Sequence, residues 1–430
     1  MDKYLPRIMD EELEEKMKSV GCIYIEGCKW CGKSTTAKRH VKTTTEFQDV
    51  DRKKEYDNIN ETKPSLFLLG EKPLLIDEWQ MYPIVWDAIR NDVDKTGLLG
   101  QYIIAGSARP RKKNEDGTYT YNVTMHSGTG RIASVTMRPM SLCESNESTG
   151  KVSLSDLFNK SDVSVEDRNN LTFESLIDII IRGGWPEVIA NKNINSNDVV
   201  NAYIDRLSKE EIEEDGQVRV DPDRLKRILR SISRNISSPV NISTIYDDVK
   251  SNDDTISRET LENYISLLKR LYIVDNVPAW NGKIRSKVAI RIKEKLQIVD
   301  PSLAVASLGA NHNSLMGDLN TLGLLFESLC IRDLKVYAER LGAMISYYRD
   351  ETDLECDAIL ELQNGDWGAI EIKLGGEKIN EAASNLLKLR DKIDTSKLGE
   401  PKFLMVLTGE DMSYRLDNGV YVVSIASLKD

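Results

Sequence analysis

Short apolar runs mark strands in the first hundred residues. Cys22 to Glu26 reads as a buried strand, Pro73 to Glu78 (PLLIDE) as a second, and Gln101 to Ser107 (QYIIAGS) as a third. A helix is expected from near Lys33. Amphipathic helices are expected over Asp223–Ser233, Thr244–Lys250 and Ser257–Leu271, the last with Tyr264, Leu267, Leu268 and Leu271 on one face. The apolar strand Tyr272–Val277 follows. Further on, Ala358, Leu360 and Leu362 alternate on one strand, and Ile370, Ile372 and Leu374 on the next. That leaves Asp357, Ile359 and Glu361 beside Ala369, Glu371 and Lys373 on the opposite face. For these to be neighbours, Gln363–Gly365 must form a three-residue loop with Gly365 left-handed. A two-residue turn at Asn364-Gly365 would put Asp357 on the face away from Glu371. Helix 378–393 is expected to pack on this sheet.

The chemistry is densest after the first strand. Gly27-Cys-Lys-Trp-Cys-Gly-Lys-Ser34 fits the phosphate-loop pattern G-x-x-x-x-G-K-[ST] without a gap. Gly27 and Gly32 allow backbone geometry that turns successive N–H groups onto a phosphate. Lys33 would reach the β- and γ-phosphates of ATP, and Ser34 would ligate Mg²⁺, with Thr35 next in the same turn. PLLIDE has the form of a Walker B segment. Asp77 would hold the Mg²⁺ shell beside Ser34, and Glu78 would polarise the attacking water. Ser107, just past the third strand, is placed to sense the γ-phosphate, since a parallel sheet presents its strand ends to the ligand. A plain Gly-Ser turn is the alternative there.

Composition narrows the class. A chain of 430 residues calls for two to three domains, and 40% hydrophobic with 30% charged residues is ordinary for a globular protein. The N-terminus lacks an apolar signal region and no window approaches a membrane span, so a cytoplasmic location away from membranes is expected. Six scattered cysteines suit a reducing compartment. Cys28 and Cys31 have C-x-x-C spacing, but their backbone is committed to phosphate, which disfavours a zinc or redox reading. A net charge of −11 argues against indiscriminate coating of nucleic acid. Residues 219–300 nevertheless carry 16 Lys and Arg against 11 Asp and Glu, with Lys283, Arg285, Lys287, Arg291, Lys293 and Lys295 crowded together. A solvated face and a local nucleic-acid contact both remain open for that stretch.

IDEWQ (76–80), AGSARP (105–110), HSGTGRI (126–132), MRPMSLCES (137–145) and GGWPEVI (183–189) resemble a family of prokaryotic AAA-type P-loop ATPases. Members carry a C-terminal domain of unknown function with a restriction-endonuclease-like fold. The resemblance runs from LPRI (5–8) into the last hundred residues. It implies a P-loop ATPase, a winged-helix-like middle and a nuclease-like tail, and it implies no biological role. It also implies that Arg131 neutralises γ-phosphate charge, from its own or a neighbouring subunit, with Arg138 and Arg90 as rivals. Gly183-Gly184-Trp185-Pro186 reads as a turn that docks a helical lid.

In the tail, Asp357 followed by Glu371-Ile-Lys373 resembles the PD-(D/E)XK nuclease arrangement. Two carboxylates would hold Mg²⁺ at the scissile phosphate, the lysine would help activate water, and Glu327 on a preceding helix would add an outer metal contact. Glu355 is a possible substitute for Asp357. The expected architecture is therefore α/β. It comprises an AAA-type ATP-binding domain with helical lid over 1–215, a winged-helix-like domain over 216–300 and a PD-(D/E)XK nuclease-like domain over 301–430. The function expected is a Mg²⁺-dependent ATPase, capable of forming a homo-oligomer, coupled to a tail acting on DNA. The alternative is a nucleotide-dependent switch or scaffold whose non-catalytic tail binds a protein or nucleic-acid partner.

Overall fold

Cys22–Glu26 (β1) is buried at every position, so it needs a strand on each side and cover on both faces. A computed structural model, which describes residues 4–107, 128–209, 221–280 and 293–430 and the backbone of 112–113 and 119–120, supplies both. Lys283, Arg285, Lys287 and Arg291 of the basic run lie outside the described residues. The rest divides into two compact units. One is Pro6–Arg138 with Arg270–Tyr272, and the other contains Pro139–Lys269 and Ile273–Asp430.

In the first unit, Thr43–Glu46 (β2), Leu74–Asp77 (β3), Tyr102–Gly106 (β4) and Ile132–Thr136 (β5) join β1 in a five-stranded sheet of order β2-β3-β4-β1-β5. Every pairing is parallel. Glu26 lies level with Gly106 and Thr136, and Asp77 with Ala105, so the strands end at one shared edge. Helices Ile8–Lys16 (α1), Lys33–Ala37 (α2), Lys53–Thr62 (α3) and Ile84–Thr96 (α4) complete the unit. The helix expected from Lys33 is short and passes into a 3₁₀ turn at Lys38–His40. An aromatic cluster fills one side of the core: Phe47 meets Tyr56, Phe67 and Tyr82 edge-on, and Tyr24 meets Trp79 and Trp86 in the same way.

In the second unit, the expected helices form as Pro222–Arg234 (α5), Ile242–Lys250 (α6) and Arg258–Arg270 (α7). The strand expected over Tyr272–Val277 is reduced to two isolated bridges, Val274 to Ile298 and Val277 to Lys295. Tyr272 is left-handed at φ +57, and Pro278 has no N–H to extend a ladder.

The larger sheet of this unit has seven strands. Asp167–Arg168 (β6), Ala343–Arg349 (β7), Glu355–Leu362 (β8), Trp367–Lys373 (β9), Phe403–Thr408 (β10), Met412–Arg415 (β11) and Tyr421–Ser424 (β12) run in the order β7-β8-β9-β10-β12-β11-β6. Helix Leu319–Leu341 (α8) packs on β7, β8 and β9. Helix Ile379–Lys392 (α9) buries Ala382, Leu386 and Leu389 against Ile359, Ala369, Leu404 and Val406. By strand alternation Leu360, Ile370 and Met405 face the other way, and they are fully buried too, so both faces of the sheet are covered.

The β8–β9 connection is the three-residue form. The Leu362 N–H donates to Asp366 O at 2.8 Å, the Gly365 N–H donates to Leu362 O at 2.9 Å, and Gly365 has φ +88. Ala358 pairs with Ile370, and Glu361 with Trp367, in the expected register. The plain alternation ends there. Ser346 pairs with Ile359 but Tyr348 pairs with Cys356, so β8 holds one extra residue at Asp357 and Ala358. Cys356 and Ile359 consequently both join the core under α9, despite a spacing that would separate them on a regular strand.

Gly183-Gly184-Trp185 is anchored by a buried charge network. Asp300 accepts from the Gly184 N–H at 2.9 Å and from Arg332 at 3.0 Å, and Trp185 Nε1 donates to Ser302 Oγ at 2.9 Å. Arg332 also donates twice to Asp333, which accepts the Leu142 N–H at 2.9 Å. Replacing Arg332 by Met leaves two buried carboxylates without their cation, at a cost of about 3–5 kcal/mol. Urea denaturation is expected to register a loss of that size, and a loss below about 1 kcal/mol would mean that the network contributes little.

Candidate functional sites

Residues 27–34 leave β1 at the shared strand edge and fold back on themselves. Gly27 (φ +152), Trp30 (φ +65) and Gly32 (φ +101) have positive φ, which bends the loop tightly. A Cβ at Gly27 would lie 2.1 Å from the Met137 carbonyl oxygen, so only glycine fits. Lys33 lies buried across the loop, its Nζ donating to Gly27 O at 3.0 Å and Cys28 O at 2.7 Å. Ser34 Oγ donates to Asp77 Oδ1 at 2.9 Å, which brings together the two side chains expected to share Mg²⁺. Thr35 follows in α2. Ser107 is buried just past β4, the strand between β3 and β1.

Burial raises the Asp77 and Glu78 carboxyls above their ordinary values, and hydrogen bonds from Ser34 and Gln80 offset only part of this. Glu78 is left-handed at φ +53, an uncommon conformation for a residue with a side chain. Gln80 Nε2 donates to Glu78 Oε2.

One residue in this region escaped the sequence reading. Arg7 is buried, donating to Cys31 O and Arg138 O at 2.7 Å each, and so ties the loop to the segment that follows β5. Only its place in LPRI could have drawn attention to it. Cys28 and Cys31 are both buried free thiols. Burial pushes the Cys31 thiol up, but its hydrogen bond with Cys28 and the nearby Lys33 and Arg7 charges outweigh this and bring it to about 6.

Arg131 needs correction as a residue acting within its own chain. It precedes Ile132, which pairs with Cys22 at the start of β1, and Cys22 N–H donates to Arg131 O at 3.0 Å. It therefore lies a full strand, about 13 Å, from the phosphate-loop edge. Its guanidinium is bound to Asp94 at 2.6 Å and is 46% exposed. Arg90 is near Asp87 and Asp94, on the same helix. Arg138, by contrast, follows β5 at the loop edge.

The second cluster is in the tail. Asp357, Glu371 and Lys373 come together: Lys373 Nζ is 2.6 Å from Glu371 Oε2 and 3.2 Å from Asp357 Oδ2. Asp357 Oδ2 also accepts the Ile372 N–H at 2.8 Å. Lys295, which belongs to the basic run, is the unexpected member. Its Nζ lies 2.7 Å from Glu355 Oε1, 3.2 Å from Glu327 Oε1 and 3.8 Å from Asp357 Oδ1. Burial, and then the charge of Asp357, raise both Glu327 and Glu371 to about 8. Burial also pushes Asp357 up, but Lys373 and Lys295 more than reverse this and hold it low. Among the described residues, no group of three or more His, Cys, Asp or Glu is arranged to hold a metal ion.

Comparison with known proteins bears on each part. Residues 20–146 match the model of an AAA domain. This part of the chain is similar to AAA-type P-loop domains. Residues 173–314 and 322–428 match two domains of unknown function, DUF8612 and DUF4143, whose descriptions assign no nuclease fold or activity. No curated protein matches the chain. Among solved structures, it is similar to the Walker-type ATPase PABY2304 of Pyrococcus abyssi, at 14% identity over 71% of this chain and 96% of that one, with a TM-score of 0.42. A replication initiator DnaA bound to AMPPCP and single-stranded DNA matches at 15% identity over 61% and 86%, with a TM-score of 0.26. The Drosophila ORC bound to DNA matches at 12% over 70% and 84%, with a TM-score of 0.17. Among the described residues no helix is long and apolar enough to cross a membrane.

Arg7→Met removes two charge-assisted hydrogen bonds, one to the loop at Cys31 O and one to the segment after β5 at Arg138 O, each worth about 1.5–3 kcal/mol. ATP affinity, followed with a fluorescent nucleotide, is expected to fall about tenfold or more. Unchanged affinity in a folded variant would show that the loop keeps its shape without Arg7.

Proposed function

We propose that the chain is a Mg²⁺-dependent ATPase, with ATP held by Gly27–Thr35. The observation that carries this is the meeting of Ser34 and Asp77 at 2.9 Å beside the buried Lys33. A hydroxyl and a carboxylate are the hard oxygen donors that suit Mg²⁺, which takes its remaining ligands from phosphate and water. Bound there, the ion would neutralise charge on the β- and γ-phosphates. Lys33 would exchange the Gly27 and Cys28 carbonyls for phosphate oxygens. Glu78 would accept the proton of the attacking water, with Gln80 holding one carboxylate oxygen so that the other faces the water. Ser107 would contact the γ-phosphate. Arg138 becomes the candidate for cationic assistance within the chain, and Arg131 is left for a neighbouring copy in a homo-oligomer.

For the rest of the chain we adopt the switch reading. Nucleotide state would be relayed to a non-catalytic tail through the helices α5 to α7, a winged-helix-like module whose partner we take to be DNA. The excess of Lys and Arg over 219–300 supports that partner. Free thiols at all six cysteines support a reducing, cytoplasmic setting. DNA cleavage by the tail is the second reading, favoured by the convergence of Asp357, Glu371 and Lys373. The carboxylates there do not fit a metal, because ammonium groups already pair them.

Lys33→Ala is expected to abolish ATP binding. Glu78→Gln is expected to bind ATP normally but lose about 10²–10⁴-fold in kcat. Because burial raises Glu78, the carboxylate base is lost as pH falls through a value above the usual range, so wild-type kcat should rise with pH through that value. A fluorescent nucleotide would read binding in both variants, phosphate release would read kcat and its pH profile, and DNA-stimulated turnover would support the proposed partner. Full kcat in Glu78→Gln would overturn the role given to Glu78.

A further inference from the structure

The four tail carboxylates Glu327, Glu355, Asp357 and Glu371 come together from one helix and two strands and demand positive charge, though among the described residues they are not arranged to hold a metal ion. An ammonium group meets that demand. Lys295 is 1% exposed at its side chain, and its Nζ reaches three of the four, at 2.7 Å to Glu355, 3.2 Å to Glu327 and 3.8 Å to Asp357. An ammonium carries three donors and no acceptor, so three converging carboxylates match it. The ring of Tyr347 lies 5.1 Å from the same Nζ and adds a cation–π contact.

The backbone keeps Lys295 in place. Its N–H donates to Val277 O and its carbonyl accepts the Val277 N–H, both at 2.9 Å, and three residues on Ile298 is bridged to Val274. Tyr347 Oη donates to the carbonyl of Lys293, two residues back. A second ammonium, Lys373, closes the other side of Asp357, with Glu371 at 2.6 Å. A divalent ion entering here would meet two fixed positive charges within contact distance of the oxygens it needs.

We propose that Lys295 is the resident cation of the tail cluster, standing in for a divalent metal, so that this tail binds neither Mg²⁺ nor Mn²⁺. The inference rests on the tail half of the reading above and is independent of the nucleotide site. The carboxylates that resemble a nuclease centre are then an internal ion cluster joining β8, β9, α8 and the segment around Lys295. The lysine replaces the metal as the charge that allows their burial.

The test counts Mn²⁺ bound to the full-length, nucleotide-free protein by electron paramagnetic resonance. Ser34→Ala serves as background, to remove metal binding beside Asp77. In that background, Asp357 intact and Asp357→Asn are expected to bind the same number of ions. Lys295→Gln is expected to gain one ion, and to lose it again when combined with Asp357→Asn. One ion fewer in Asp357→Asn than with Asp357 intact would overturn the proposal, and so would a folded Lys295→Gln that gains none. Where Lys295→Gln fails to fold, the comparison at Asp357 decides alone. ATP hydrolysis by Lys295→Gln without the background substitution reports on the nucleotide site, so failure of one reading is distinguishable from failure of the other.

Discussion

Every buried cation in this chain has to recover the hydration it gives up, and the kind of partner that repays it separates the two clusters. Lys33 and Arg7 hydrogen-bond backbone carbonyls of the phosphate loop and its neighbours. Lys295 and Arg332 are held by carboxylates. A carbonyl carries only a dipole, and exchanging it for a phosphate oxygen strengthens the interaction. A carboxylate is already a full opposing charge, and separating it from its cation inside the protein leaves both uncompensated. The first kind of site is ready to accept an anion. The second is satisfied as it stands.

The meeting of the phosphate-loop motif with Asp77 was legible because its parts are local. Gly27, Gly32, Lys33 and Ser34 fall within one turn of chain, and Asp77 lies at the end of a strand whose apolar run is short and unambiguous. Parallel pairing then brings Glu26, Asp77 and Ser107 to one edge, as any such sheet must. Arg131 went astray for a related reason. A motif shows that an arginine recurs beside a strand but not which end of the strand it occupies, and here the pairing of Cys22 with Ile132 puts it at the far end. Arg7 was out of reach, since its carbonyl partners at Cys31 and Arg138 are 24 and 131 residues away.

The tail was half legible. The register of β8 against β9 followed from alternating side chains and from Gly365, whose position allows the left-handed turn. The bulge at Asp357 did not follow, because no residue type at 355–358 marks it. It arises where β8 must pair with β7 and β9 at once, and it turns one carboxylate into the place where Ile372 N–H needs an acceptor.

Lys295 shows why a short motif underdetermines chemistry. Asp357 and Glu371-Ile-Lys373 name three groups, yet the charge at their centre is decided by a fourth, 62 residues before Asp357, that belongs to a basic run reading as surface. A pattern of acids specifies a demand for positive charge and leaves open how it is met. In a solvent-open cleft, a metal with exchangeable waters meets it and is free to do chemistry. With a lysine fixed by backbone pairing to Val277, the demand is met by the chain itself. The cluster then contributes to holding strands and helix together, and in the proposed function any hydrolytic chemistry would rest with the phosphate loop.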